Sequence, residues 1–317
     1  MAQRAVRRSV PRIGRVADRV QETWSDADVP EYLERLGVPG LVDVHVHFME
    51  PSIMAKVWAY FDAAGPKLGR EWPITYRGSD DERLARLRAL GVKRFSALSY
   101  AHRPGVAAMM NDWTLGFAEQ HADVLRSATF FPEPEAPAYV ADLIDRGVDV
   151  FKVHVQVGDF PPNDPLLEPV WALLAEAGTP IVLHAGSGPA PGRFTGPAAV
   201  ADVLTRHPDL AFVMAHLGAP ELDAFATLAE HYEHVRLDTT MAFVDFFADS
   251  HVSHEAPEGY LERLAALQDK VLFGSDFPNI PYQYAHQIEA LDRLGLGDAW
   301  MRAVLWENGA RLFDVTP

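Results

Sequence analysis

Eight short runs rich in β-branched and aromatic residues recur along the chain, and helical patterns fill most of the intervals between them. The runs are Leu41–Phe48, Val92–Leu98, Ser127–Phe131, Asp149–Val155, Pro180–His184, Ala211–His216, Val235–Asp238 and Lys270–Ser275. "DDERLARLRALG" precedes the second run, and "LLEPVWALLAEAG" precedes the fifth and ends at Gly178, a suitable helix cap. Strands alternating with helices argue for βαβ units and a parallel sheet. Eight of them predict an α/β fold of the closed (β/α)8, TIM-barrel type. An open doubly wound sheet is the competing architecture, but no glycine-rich dinucleotide turn follows the first run. At 317 residues the chain suits one barrel domain over 37–317 with an N-terminal arm or helix over 1–36.

Composition narrows the function classes. There are no cysteines, so disulfide frameworks and thiolate metal sites are excluded. A net charge of −16, from 28 basic and 44 acidic residues, repels phosphate backbones and anionic lipid. A small-molecule substrate is therefore expected, with neither nucleic acid nor membrane as partner. No apolar run reaches a membrane span. Residues 1–20 depart from this balance, with six Arg against Asp18. The arm has no apolar core behind its twin Arg, so it reads as a solvated or subunit-contacting segment, which admits a homodimer, and a cytoplasmic location is expected.

Polar residues gather at the C-terminal ends of the runs. The first gives His45 and His47, the fourth Lys152, His154 and Gln156, the fifth His184, the sixth His216, the seventh Asp238 and the eighth Asp276. Lys152, His184 and His216 are spaced 32 and 32 residues apart, which suggests equal depth in the barrel. On a strand, residues i and i+2 share a face. Two imidazoles so placed can converge on one ion, joined by His184 and by Asp276, in an N/O site suited to Zn or a neighbouring divalent metal. A metal-bound water is then a usable nucleophile at neutral pH. Asp276 can accept its proton, and His216 can orient it. An apolar strand gains nothing from two buried imidazoles unless something satisfies both. Lys152 reads either as an ion-pair partner of Asp238 or Asp43, or as a carbamate bridging two metals. Asp238 reads equally as a cap.

"DVHVHF", "VFKVH", "PIVLHAGSG", "AHLGAPE", "VLFGSDFP" and the closing "ENGARLF" resemble the amidohydrolase superfamily, most nearly its "amidohydrolase 2" branch, which includes aminocarboxymuconate semialdehyde decarboxylase and related hydrolases. The resemblance covers about residues 40–317. It implies that His45, His47, His184 and Asp276 ligate one divalent metal, Zn2+ first, and that His216 acts on the water. Two-metal members of the superfamily carry a carbamylated Lys where Lys152 stands and second-metal His residues where His184 and His216 stand. The implied activity is hydrolysis of a small cyclic or aromatic substrate, with non-oxidative decarboxylation of an aromatic or enol carboxylate as the alternative.

Two long connections follow strand ends, from Glu50 to Gly78 and from Met241 to Gly259. Aromatic residues of these connections and of the one after the eighth run, with Trp58 and Tyr282 foremost, are candidate substrate walls. Arg103 and Arg193 are candidate carboxylate clamps. Glu133 reads as a substrate contact or a turn cap.

Overall fold

The computed structural model describes residues 23–247 and 256–316. Among the described residues are nine parallel strands: β1 Leu41–Asp43, β2 Val92–Ser96, β3 Val124–Leu125, β4 Ser127–Thr129, β5 Val150–His154, β6 Ile181–His184, β7 Phe212–Met214, β8 Val235–Asp238 and β9 Val271–Leu272. They form one sheet ordered β1-β2-β3 and another ordered β4 through β9. β3 and β4 are two halves of one stave interrupted at Arg126, since β3 pairs with β2 and β4 with β5. The remaining edges also meet. Val44 N–H donates to Phe273 O at 3.0 Å, and Val46 bridges Phe277 in parallel. Eight staves therefore close into the expected TIM barrel.

Burial on both faces explains why the staves read as near-continuous apolar runs. Phe151, Val153, Ile181, Leu183, Phe212 and Met214 face the helices. Val150, Val182 and Val213 face the interior, where Trp306 of the C-terminal helical segment packs beneath them. Lys152 and His184 lie one step further along that interior face. The pairing register places them at different depths: Lys152 is level with Val182, and His154 with His184. The 32-residue spacing therefore does not mark a common layer. Thirty residues separate level positions on β5 and β6, and 31 on β6 and β7.

Residues 23–36 are packed into the barrel. Helix Val29–Leu36 buries Val29, Tyr32, Leu33 and Leu36 and closes at Gly37 in the left-handed region, φ 71°. The Thr23 and Trp24 N–H groups donate to the Glu289 carboxylate at 2.8–3.0 Å. The Arg-rich stretch of the arm lies outside the described residues. The connection after the first stave is also more ordered than a loop. Glu50 accepts from Ser52 N and Ile53 N, Pro51 opens the first turn, and a helix runs Pro51–Asp62, followed by Gly65–Leu68. Of the seventh connection, Asp245–Phe247 is a 3-10 turn, and residues 248–255, with His251 and His254, lie outside the described ones. No described helix is long and apolar enough to cross a membrane.

Candidate metal centre and its cavity

His45 and His47 emerge side by side from β1, ring centroids 5.2 Å apart, and both are nearly fully buried. Asp276 reaches them from just beyond β9. One ligand atom from each of the three lies within 4.8 Å of the others. The backbone is arranged for this. Asp276 adopts φ 62°, and its N–H donates to the His45 carbonyl at 2.7 Å. His216 adopts φ 58° as the chain leaves β7, with its N–H donating to Asp238 Oδ1 at 2.9 Å. Left-handed backbone at two non-glycine residues costs on the order of 1–3 kcal/mol each and persists only where surrounding bonds enforce it. Gly274 permits the close approach: a Cβ there would stand 2.8 Å from His45 Cβ and 2.3 Å from Thr240 Oγ1.

Hydrogen bonds set the tautomers. His45 Nδ1–H donates to Asp238 Oδ2 at 2.9 Å, leaving the Nε2 lone pair, which faces Lys152 Nζ at 3.0 Å. His47 Nδ1–H donates to the Leu98 carbonyl at 2.9 Å, so its Nε2 lone pair meets Asp276 Oδ1 at 2.6 Å. At that separation the two atoms share a proton; an ion bonded to both at about 2.0–2.1 Å would hold them about 3 Å apart. Burial first, and then the Lys152 charge, holds His45 well below the ordinary histidine range. Burial works to raise Asp276, but His47, His45 and Lys152 outweigh it and hold the carboxylate below its usual range. Burial lowers Lys152 to about 8, against the pull of Asp238 and Asp276. Neutral imidazoles facing a carboxylate are the donor set of a divalent ion, so these residues fit one.

The other expected residues divide. His184 stacks on His154 at 3.9 Å and lies 4.6 Å from His216, ring to ring, at the same cavity. Its Nε2–H donates to Gly188 O at 2.9 Å, which leaves Nδ1 as its lone-pair nitrogen, and it is not within the three-residue cluster. Burial, then Lys152, lowers His184 to about 4. His216 points Nδ1 at the Thr240 carbonyl, 3.2 Å away, which leaves Nε2 basic. Lys152 meets His45 rather than Asp43. Asp43 is instead bound by Ser275 Oγ at 2.5 Å and Tyr284 OH at 2.7 Å, and burial raises it to about 7.

One cavity of about 560 Å3 contains the cluster. It is lined by His45, His47, Lys152, His184, His216 and Asp276 together with Arg103 and many apolar side chains. Three expected substrate contacts fall outside it. Arg193 is exposed at a separate surface depression, its guanidinium over Phe194, because the Gly192–Thr195 turn directs it away. Trp58 faces away from the cavity and donates from Nε1 to Asn279 Oδ1, while Tyr282 packs behind it on Phe246 and His286. Glu133 caps a turn, accepting from Gly105 N and Tyr139 OH. Tyr100 was not foreseen; it sits edge-on 5.7 Å from His47 and 5.2 Å from His154. Its position just past the second stave was the available signal.

Fold and site define a TIM-barrel protein with a histidine–carboxylate centre at the C-terminal mouth. The amidohydrolase family profile matches residues 42–315, and the chain belongs to that family, within its amidohydrolase 2 branch of metal-dependent enzymes. Similar solved structures include an uncharacterised TIM-barrel protein of Bordetella bronchiseptica (18% identity, TM-score 0.70, covering 87% of this chain and 99% of that one). They also include a candidate 2-pyrone-4,6-dicarboxylic acid hydrolase of Pseudomonas putida (16%, 0.57, 88% and 99%). A third is 5-carboxyvanillate decarboxylase of Novosphingobium aromaticivorans, solved with manganese and 4-hydroxy-3-methoxy-5-nitrobenzoic acid (14%, 0.54, 87% and 95%). No curated protein sequence matches the chain.

Proposed function

We propose that this protein is a metal-dependent hydrolase of a small cyclic or aromatic molecule. His45, His47 and Asp276 would hold one divalent ion, Zn2+ first by donor type, with His184 as the fourth ligand through Nδ1. The observation that carries the reading is the convergence of one ligand atom each from His45, His47 and Asp276 within 4.8 Å, with the tautomers of both imidazoles fixed by hydrogen bonds. When bound, such an ion supplies Lewis acidity, which polarises a substrate oxygen and acidifies water. The chain's own groups supply the rest. Asp238 and the Leu98 carbonyl keep both Nε2 atoms unprotonated. His216 Nε2 is free to take or give a proton at the reacting carbon's oxygen, and Asp276 can take the proton of the attacking water. Lys152, which meets His45 Nε2 at 3.0 Å, would yield that lone pair to the ion in the one-metal arrangement; as a carbamate it would serve a second metal, together with His216.

Decarboxylation is the second reading. Among the described residues the cavity is lined by Lys56, Lys67, Arg103 and Lys152 against a single carboxylate, Asp276, which suits a substrate bearing carboxylate groups. The fold is shared with a 5-carboxyvanillate decarboxylase. A metal-loaded preparation assayed for acid release from lactones and cyclic amides, and for carbon dioxide release from aromatic and enol carboxylates, separates the two. Asp276→Asn should abolish whichever activity is found. Full activity in that variant, or no turnover of either panel by fully loaded protein, contradicts the proposal.

A further inference from the structure

The cavity's lining is graded from floor to mouth. Its floor holds buried His45, His47, Lys152 and His184, and its middle is walled by buried Trp72, Met110, Met241 and Phe247. Its mouth carries Tyr60, Met109 and Val157, which are 50%, 46% and 42% exposed. These are three of the four large apolar side chains most exposed among the described residues, and all three stand around one opening. Apolar surface concentrated in this way marks a binding surface rather than ordinary scatter. Size points the same way. A dry cavity of about 150 Å3 already holds benzene, so a single ring would leave most of 560 Å3 unfilled.

Charge at the mouth opposes that of the chain. Acidic residues outnumber basic ones 44 to 28 overall, yet the mouth presents Lys56, Lys67 and Arg103 and no described carboxylate. Lys67 is braced, with Nζ 3.3 Å from Tyr60 OH. Among the described residues, Lys56 and Arg103 form no salt bridge. Both act on His102, which is held below its ordinary range first by burial and then by the charges of Arg103 and Lys56. Glu50 feels the Lys56 charge without forming a salt bridge with it, so among the described residues these like charges gather with no paired counter-ion, which a ligand's anion would relieve. Helix Pro51–Asp62 builds much of this wall, because Ile53, Lys56, Val57, Tyr60 and Phe61 recur at helical spacing along one face.

We propose that the substrate is two-ended: its reactive group lies on the histidine floor, an apolar body larger than one ring fills the middle, and an anionic group at the far end is held at the mouth by Lys56 and Arg103. This rests on the metal-centre reading above and adds the shape and charge of the molecule to it. The test uses metal-loaded full-length protein and three hydroxamic acids, whose chelating end reports on the floor: benzohydroxamic acid, biphenyl-4-hydroxamic acid and 4'-carboxybiphenyl-4-hydroxamic acid. The second should bind at least tenfold tighter than the first. The distal carboxylate should add at least a further fivefold, which falls with salt and disappears in the Lys56→Ala/Arg103→Ala variant. Binding of all three without these gains, or a carboxylate gain that survives in the variant, overturns this proposal alone. Failure of all three hydroxamates to bind overturns the metal-centre reading with it.

Discussion

His45 is fixed at both ends by buried groups, Asp238 at Nδ1 and Lys152 at Nε2. Asp238 also accepts the N–H groups of His216 and Thr240, so one carboxylate aligns an expected ligand and an expected general base. Asp238→Ala should weaken divalent-metal affinity by about 10–100-fold, the usual cost of losing a partner that orients a ligand. Competition against a chromophoric chelator measures this, and an unchanged dissociation constant would remove the role. Alternation along the first strand revealed His45 and His47, and the strand end revealed Asp276. The role of Asp238 was hidden because its partner is 193 residues away, and a carboxylate at a strand end reads equally as a cap. Arg193, Trp58 and Tyr282 look like substrate contacts on paper. Loop path decides where such side chains point, and no local pattern encodes it.

Among the elements, helix Val29–Leu36 shows how a basic N-terminal segment conceals a packed one. Its buried residues fall at positions i, i+3, i+4 and i+7, a stripe legible in "VPEYLERL" once the Arg-rich stretch before it is set aside. Leu33, 4% exposed, packs against the turn before β2, where a Cβ on Gly91 would lie 3.0 Å from its Cδ1. Leu33→Ala should cost about 2–5 kcal/mol in a urea unfolding titration. A loss under about 0.5 kcal/mol would show the helix to be a detachable arm. Helix Pro51–Asp62 escaped notice for a different reason. Trp58, Tyr60 and Phe61 are middling helix formers, and its start is signalled by Glu50 and Pro51, a weaker pair than a Ser or Asp cap.

The molecule as a whole combines an acidic exterior with a cation-lined cavity at the mouth of its barrel. The barrel was legible because each stave is buried on both faces and each crossover needs a helix, so strand and helix signals alternate strongly. Depth within the barrel was not legible, because register depends on stagger between neighbours rather than on spacing along the chain. What binds at the mouth follows from side chains drawn from the first and second connections, far apart in sequence and joined only by closure. The central claim, a metal held by His45, His47 and Asp276, is tested most directly by elemental analysis of purified, reconstituted protein beside a His45→Ala/His47→Ala variant. The account predicts about one equivalent of zinc or a similar divalent metal in the natural sequence and close to none in the variant. Two equivalents would assign Lys152 to a second metal. No metal in the natural sequence, or equal metal in both proteins, would contradict the claim.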